Sequence, residues 1–425
     1  MERTFHVVIL GGGFAGLAAA KNLAGRPNIK VTLLDRKNHH VFQPLLYQVA
    51  LAQLSPAEIA APLRSILSAA SNVTVLMGEA QKIDRVGKIV TTDFGSITYD
   101  KLIVACGCVD NFFGHDAWAA HATGLKSLEQ ATDIRRRVLR AFELAERETD
   151  AVRRRSLQSF VIIGGGPTGV ELAGAIGEVS LRVLAEDFRN LDPLQTRIIL
   201  LESGPRILPT FHESLSEGAK VDLQTFGVEV RTGSIASEIS ERGVVVQGQW
   251  IEASTVIWAA GVKPSALAVE LKSSLDARGR VKVKPNLQLL DDADVYVLGD
   301  MASFEVPGGG TLPGLASVAM QQGQYLGKAL QSHIKGNDIK PFVYLDKGQM
   351  ATIGRKKAVV EVGKLRIRGI IAWHMWLFIH ILYLIGFHNR FKVLLQWVWS
   401  YVTYKRPARL ILDAAAPAKI VESKL

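Results

Sequence analysis

Cysteine is nearly missing from this chain: Cys106 and Cys108 are the only two in 425 residues. So few thiols exclude a disulfide-stapled scaffold, and the C-x-C spacing is too tight for an ordinary bridge. Free thiols in a reducing, cytoplasmic setting are expected. A secretory leader is not expected either, because a folded-strand pattern already starts at residue 5. Acidic residues are scarce at one end. Residues 331–425 hold 16 Lys/Arg against 5 Asp/Glu, whereas the first 330 hold 34 against 35, so the net charge of +10 belongs to the C-terminal segment. A basic tail of this kind attracts nucleic acid or anionic lipid. No metal site is expected.

Long apolar runs are absent until residue 369. Residues 369–387 then contain no Asp, Glu, Lys or Arg, and a second run at 391–404 is too short to span a bilayer. Lys364, Arg366 and Arg368 precede the first run, Arg390 and Lys392 separate the two, and Lys405, Arg406 and Arg409 follow. Trp373, Trp376, Trp397 and Trp399 fit interfacial depth. Two short aromatic helices bracketed by cations predict a surface-lying membrane anchor, ahead of a single span or a buried dimer interface. The apolar density argues against nucleic acid. At 127–157 a charged helical stretch carries the triplets Arg135-Arg136-Arg137 and Arg153-Arg154-Arg155. Its interspersed acids favour a solvated connecting helix over a nucleic-acid patch.

Glycine is plentiful and patterned. Gly11-Gly12-Gly13-Phe14-Ala15-Gly16 follows an apolar run at 5–10 and opens an Ala/Leu-rich stretch at 17–23. Strand, turn and helix in that order read as a G-x-G-x-x-G dinucleotide turn. Gly11 permits the tight turn, Gly13 lets backbone approach a pyrophosphate, and Gly16 lets helix pack on strand. The helix N-terminus offers amides and a partial positive charge to phosphates. Asp35 ends the next strand, where a ribose-binding acid is expected. The pattern then returns. A strand at 160–163 enters Gly164-Gly165-Gly166-Pro167-Thr168-Gly169, and a strand at 198–201 ends in Glu202. LIVACG at 102–107 is echoed by VIWAAG at 256–261. From Gly11 to Gly107 is 96 positions and from Gly164 to Gly261 is 97, an internal repeat. Glu202 lies further from its glycines than the usual ~20 residues. The surplus reads as a lengthened helix and a loop around Pro193.

The predicted fold is therefore α/β, with two Rossmann-like dinucleotide-binding domains and a C-terminal amphipathic helical membrane anchor. Two such domains imply a tightly held flavin and a diffusing nicotinamide. The first domain, residues 1–115 and 262–330, has an aromatic loop at 38–48 and the returning Gly299-Asp300 with which to hold the larger cofactor. That loop is either buried packing or a wall around a flat ring system. The second domain, residues 116–261, has Glu202, whose carboxylate favours NADH over NADPH, with Arg206 beside it as the argument for NADPH. Residues 331–425 form the anchor.

The paired glycine turns, PLLYQVA at 44–50, WAAGV at 258–262, VYVLGD at 295–300 and the aromatic tail resemble the type II NADH dehydrogenases. These are single-chain, FAD-containing NADH:quinone oxidoreductases attached to one membrane face. The resemblance covers nearly the whole chain. It implies that Gly11, Gly13, Phe14, Ala15, Gly16, Asp35, Arg36, Ala105, Gly107, Gly299 and Asp300 serve FAD. It assigns Gly164, Gly166, Pro167, Thr168, Gly169, Glu202 and Gly261 to NADH. The family's quinone motif A-Q-x-A-x-Q corresponds to residues 316–321, ASVAMQ, with Ser317 where an amide is usual. Ala316, Ser317, Ala319, Gln321 and Gln322 are the implied quinone residues. Glu171 and Gln321 are the candidate catalytic groups. For Glu171 the choice is between orienting nicotinamide or relaying a proton and serving as a first-turn helix acid.

The resemblance further implies a homodimer on the cytoplasmic face of the inner membrane. No chain of ionisable groups crosses the apolar tail, so no proton pumping is expected. A disulfide reductase or a sulfide:quinone reductase needs better-separated cysteines. A soluble flavin reductase has no use for the tail. An NADH-sensing flavoprotein docked on a membrane would bind without turnover.

Overall fold

A computed structural model describes residues 3–183, 187–192, 195–334, 337–384, 387–403 and 408–411. Pro193, Tyr404, Lys405 and Arg406 lie outside the described residues. The chain forms two units. The first comprises Met1–Phe42, Ala60–Gly114 and Gly261–Gly348, and the second Gln43–Ile59, His115–Ala260 and Gln349–Leu425.

The first unit is built on a parallel sheet of five strands, in the order Val295–Val297, Lys101–Val104, Phe5–Leu10, Ile29–Asp35, Val73–Met77. The strand leading into the first glycine turn is central. Lys101–Val104 is buried at every position, as expected of a parallel strand covered on both faces. An antiparallel meander, Ala80–Asp84, Ile89–Thr92 and Gly95–Thr98, lies in sequence between strands Val73–Met77 and Lys101–Val104. Helices Phe14–Leu23 and Ala316–Ile334 pack closely. A Cβ on Gly323 would lie 2.1 Å from the carbonyl oxygen of Ala15, so only glycine fits there.

The second unit repeats this plan. Its parallel sheet runs Ala122–Thr123, Thr255–Trp258, Ser159–Ile163, Arg197–Leu201, Val228–Arg231, again with the glycine-turn strand in the middle. Its meander is Ala236–Ser240, Gly243–Val246 and Gln249–Glu252. The repeat expected from the 96- and 97-residue spacings is thus a repeat of topology.

The stretch at 127–157 forms two helices, Leu128–Arg147 and Ala151–Leu157. Ser127 and Gln130 make a reciprocal capping box at the start of the first. The picture of a wholly solvated helix needs correction at Arg135, which is buried. Its guanidinium donates to the carbonyls of Val49 at 2.8 Å and Leu54 at 2.9 Å, so it staples the helix to the Gln43–Ile59 segment. Burial lowers its pKa. Arg136 and Arg137 pair with Asp133, and Arg153 with Glu148.

The C-terminal part of the second unit opens with a meander, Gln349–Gly354, Lys357–Val362 and Leu365–Arg368. Helices Ile370–Tyr383 and Phe387–Thr403 follow. The first apolar run does not continue as one helix to 387. Leu384 is extended and buried, and its carbonyl accepts from Arg390 Nε at 2.7 Å. Each helix has two apolar faces. Trp373, Trp376, His380, Val393 and Trp397 are buried, whereas Ile371, Phe378, Leu382, Phe391, Leu394, Leu395, Val398 and Trp399 are exposed.

The inner faces meet the 43–59 segment, whose residues Leu45 to Leu51 are all buried. Trp397 Nε1 donates to Gln48 Oε1 at 2.8 Å, Gln48 Nε2 donates to the Tyr47 hydroxyl, and Trp376 stacks on His380 at 4.1 Å. Burial lowers the His380 pKa to about 4, so its imidazole is neutral at pH 7. Among the described residues no helix is long and apolar enough to cross a membrane.

Candidate active site

Each unit presents the same backbone device. Gly11 has φ of +99°, and a Cβ there would lie 2.4 Å from the carbonyl oxygen of Ala105. Gly164 has φ of +111°, with the carbonyl oxygen of Ala259 at 2.5 Å in the same sense. A Cβ on Gly16 or on Gly169 would lie 1.9 Å from the carbonyl oxygen of Gly11 or Gly164. Helix and strand therefore touch backbone to backbone, which any side chain would prevent. Gly13 and Gly166 differ from these. Nothing lies within 4 Å of the place a Cβ would take, so the backbone at the helix N-terminus is open. The amides there suit a phosphate group.

The acids close the device. Asp35 Oδ2 accepts from Gly12 N at 2.5 Å and Oδ1 from Lys37 N at 2.7 Å. Glu202 Oε2 accepts from Gly165 N at 2.6 Å, while Oε1 accepts from Gly204 N at 2.6 Å and Ser203 Oγ at 3.2 Å. Charge-assisted bonds of this kind fix the carboxylate beside the glycine turn. The extra distance in sequence before Glu202 leaves this contact unchanged. It follows helix Pro167–Glu178 and its π-helical continuation, Val179–Val183. Arg206 donates to the carbonyls of Phe211 at 2.6 Å and Pro209 at 2.9 Å, so its guanidinium is engaged by its own turn.

The remaining expected residues fall as follows. Phe14 sets its ring edge against His40 at 5.0 Å and Phe42 at 5.8 Å. Ala15 is buried under the Gly16 contact, whereas Arg36 is exposed and 3.5 Å from Glu79. The Ala105 amide donates to Leu10, and Gly107 has φ of +63°. Gly299, with φ of +69°, donates its amide to Gln322 Oε1 at 2.7 Å. Gln322 is buried with its carboxamide so engaged. Asp300 reaches toward Gly314, where a Cβ would lie 3.2 Å from its carboxyl. Pro167 and Thr168 are exposed at the start of the second helix. Gly261 groups with the first unit, where a Cβ would lie 2.6 Å from the Phe113 ring. Cys106 and Cys108 form no disulfide and are half-buried, and burial raises the Cys106 pKa to about 12, so this thiol is un-ionised.

Helix Ala316–Ile334 carries the remaining candidates. Ala316, Ser317 and Gln321 are half-buried, and Ala319 is buried. Gln321 grips one residue from both sides: its Nε2 donates to Leu345 O and its Oε1 accepts from Leu345 N, each at 3.0 Å. Ser317 Oγ lies 3.1 Å from the Tyr344 hydroxyl.

Glu171 is on helix Pro167–Glu178 of the second unit. Strand Gln349–Gly354 lies over that helix so closely that a Cβ on Gly174 would be 1.7 Å from Ile353 O. The Thr352 amide donates to Glu171 Oε1 at 3.4 Å. Burial outweighs that long bond and raises the Glu171 pKa to about 8. The carboxyl is thus mainly protonated at pH 7. Sequence reasoning missed Thr352, His40 and Tyr344. Only His40 had a local signal, through its place in the aromatic loop.

The sequence profile described as Pyridine nucleotide-disulphide oxidoreductase matches residues 5–323. The chain is 39% identical to Type II NADH:quinone oxidoreductase Ndh of Mycobacterium tuberculosis, covering 98% of this chain and 92% of that protein. It is 40% identical to NdhA of the same organism, also described as a type II NADH:quinone oxidoreductase, covering 98% and 91%. The structure of NDH2 from Plasmodium falciparum in complex with NADH matches in fold with a TM-score of 0.89, at 18% identity, covering 97% of this chain and 100% of that one.

The Glu202 contacts predict that Glu202→Ala raises the KM for NADH by about tenfold to a hundredfold, the usual weight of a charged hydrogen bond, and narrows any preference over NADPH. Steady-state kinetics with both nucleotides checks this, and loss of bound flavin instead would reassign the second turn. The Glu171 shift predicts a pH effect on stability. Its carboxyl titrates near 4.5 unfolded and near 8 folded. Its contribution is therefore full below pH 4.5 and is lost as pH rises toward 8, by about 1.4 kcal/mol per pH unit. Urea unfolding of Glu171→Gln across this range should show the variant gaining on the native protein as pH rises; a constant difference contradicts the shift.

Proposed function

The chain belongs to the type II NADH:quinone oxidoreductases, within the wider pyridine nucleotide-disulphide oxidoreductase family, and we propose that it holds FAD in the first unit and NADH in the second. The observation that carries this assignment is the duplicated glycine turn, each copy with a bare middle glycine at a helix N-terminus and a carboxylate fastened to the neighbouring amide. Such a site fits a dinucleotide diphosphate with its ribose alongside. When bound, FAD supplies the two-electron carrier between NADH and quinone.

The chain's own residues bind and orient. Amides at the starts of helices Phe14–Leu23 and Pro167–Glu178 serve the diphosphates, and Asp35 and Glu202 serve the riboses. The engagement of Arg206 by its own turn supports NADH as the preferred donor. Glu171, protonated at neutral pH, holds a proton that it can donate in a hydrogen bond to the nicotinamide carboxamide. Ser317 and Gln321, on a half-exposed face of their helix, form the quinone end of the site. Ala316 and Ala319 keep that face small.

The reading extends to a homodimer on the cytoplasmic face of the membrane, without proton translocation. The exposed apolar faces of the two C-terminal helices support attachment to a lipid surface. Because their inner faces are packed against the 43–59 segment, removing the tail would disturb the second unit as well. Substitutions on the outer faces are the cleaner probe.

The test of the oxidoreductase reading is anaerobic absorbance. Purified protein should show an oxidised flavin spectrum that bleaches with NADH and returns with added quinone; protein that stays colourless after incubation with FAD would refute it. For the membrane, Phe378→Glu combined with Trp399→Glu should release the protein from anionic vesicles in a flotation assay while leaving NADH oxidation by a water-soluble quinone within about twofold, as surface changes usually do. Unchanged flotation would remove these faces from the anchor.

A further inference from the structure

Residues 340–345 form a strap along helix Ala316–Ile334. Four side chains fix it there. The Tyr325 hydroxyl donates to Lys340 O. The buried ring of Phe342 packs on Phe304 at 5.4 Å and on Tyr325 at 5.3 Å. Gln321 grips Leu345 through both its amide and its carbonyl, as a neighbouring strand would. Tyr344 meets Ser317 hydroxyl to hydroxyl. The strap alternates as extended chain does: Phe342 and Tyr344 turn to the helix, while Val343 and Leu345 are exposed.

The Gln321 carboxamide is therefore engaged by backbone, and its direct effect is to set where residue 344 stands. Ser317 alone reaches less far than the amide usual at that place in the motif. Paired with Tyr344 it forms a donor further from the helix. Two hydroxyls carry two hydrogens, and one is used between them, so one O–H remains to donate. Both residues are half-buried, open to a ligand yet partly out of bulk water.

We propose that the Ser317–Tyr344 hydroxyl pair donates a hydrogen bond to a quinone carbonyl, in place of an amide at 317, with Gln321 as the positioning residue that holds the strap. This rests on the quinone-reducing function proposed above. Tyr344 is then a specificity-determining residue contributed by a strap far in sequence from the helix.

Stopped-flow and steady-state kinetics of Tyr344→Phe test it. Phenylalanine keeps the ring and removes the donor. The variant should lower kcat/KM for a short-chain ubiquinone and for menadione by about tenfold, the usual weight of a single hydrogen bond. Flavin reduction by NADH and turnover with ferricyanide should match the native enzyme. In the double variant Ser317→Gln with Tyr344→Phe, the longer amide should recover most of the quinone activity. Native-like quinone kcat/KM in Tyr344→Phe overturns the inference, as does an equal loss with ferricyanide, which would mark a purely structural role. A native enzyme that bleaches with NADH but is not reoxidised by either quinone would instead overturn the quinone function itself.

Discussion

At Gly16 and Gly169 a helix is pressed so closely onto the end of a strand that a single added carbon would lie 1.9 Å from a carbonyl oxygen. Each Rossmann-like unit is organised around that contact. It brings the helix N-terminus to the end of the central strand, and its amides and positive dipole end become available to an anion. The next strand along the sheet then delivers a carboxylate to the glycine turn, Asp35 in one unit and Glu202 in the other. The second acid comes 37 residues after its glycine and the first only 23, yet the bonds are 2.6 and 2.5 Å. Strand order sets the geometry, so a longer connection changes little.

The same close backbone approach recurs beyond the nucleotide turns. Gly323 admits the helix that carries Ser317 and Gln321 against Phe14–Leu23. Gly174 admits the strand that covers Glu171 and takes its carboxyl out of water. Burial then makes this a neutral acid at physiological pH, where an exposed glutamate would be ionised. Structural glycines and the chemistry of nearby side chains are in this sense one design.

The tail shows how two short apolar helices can bury one face and expose the other. Its inward tryptophans are built into the second unit by stacking and by the Trp397–Gln48 bond, and among the described residues its outward leucines and phenylalanines are exposed. The tail is therefore part of the folded body of this unit. Helix Ala316–Ile334 follows a similar rule: Ser317 is met by a tyrosine that arrives from a different segment.

Much of this was legible in residue order. Apolar runs, glycine turns, strand-terminal acids and the matched 96- and 97-residue spacings are local or periodic signals, and they determined the α/β class, the duplication and the strand–turn–helix units. The aromatic loop at 38–48 could be read as packing or as a wall, and its residues from 45 onward proved to be packed. The basic triplet at 135–137 looked solvated, but Arg135 turned inward to carbonyls more than 80 positions away. Only the tertiary structure joined Trp397 to Gln48, Thr352 to Glu171 and Tyr344 to Ser317. Those partners have no shared period or spacing in the chain; they are selected by which surfaces the close-packed backbone leaves facing one another.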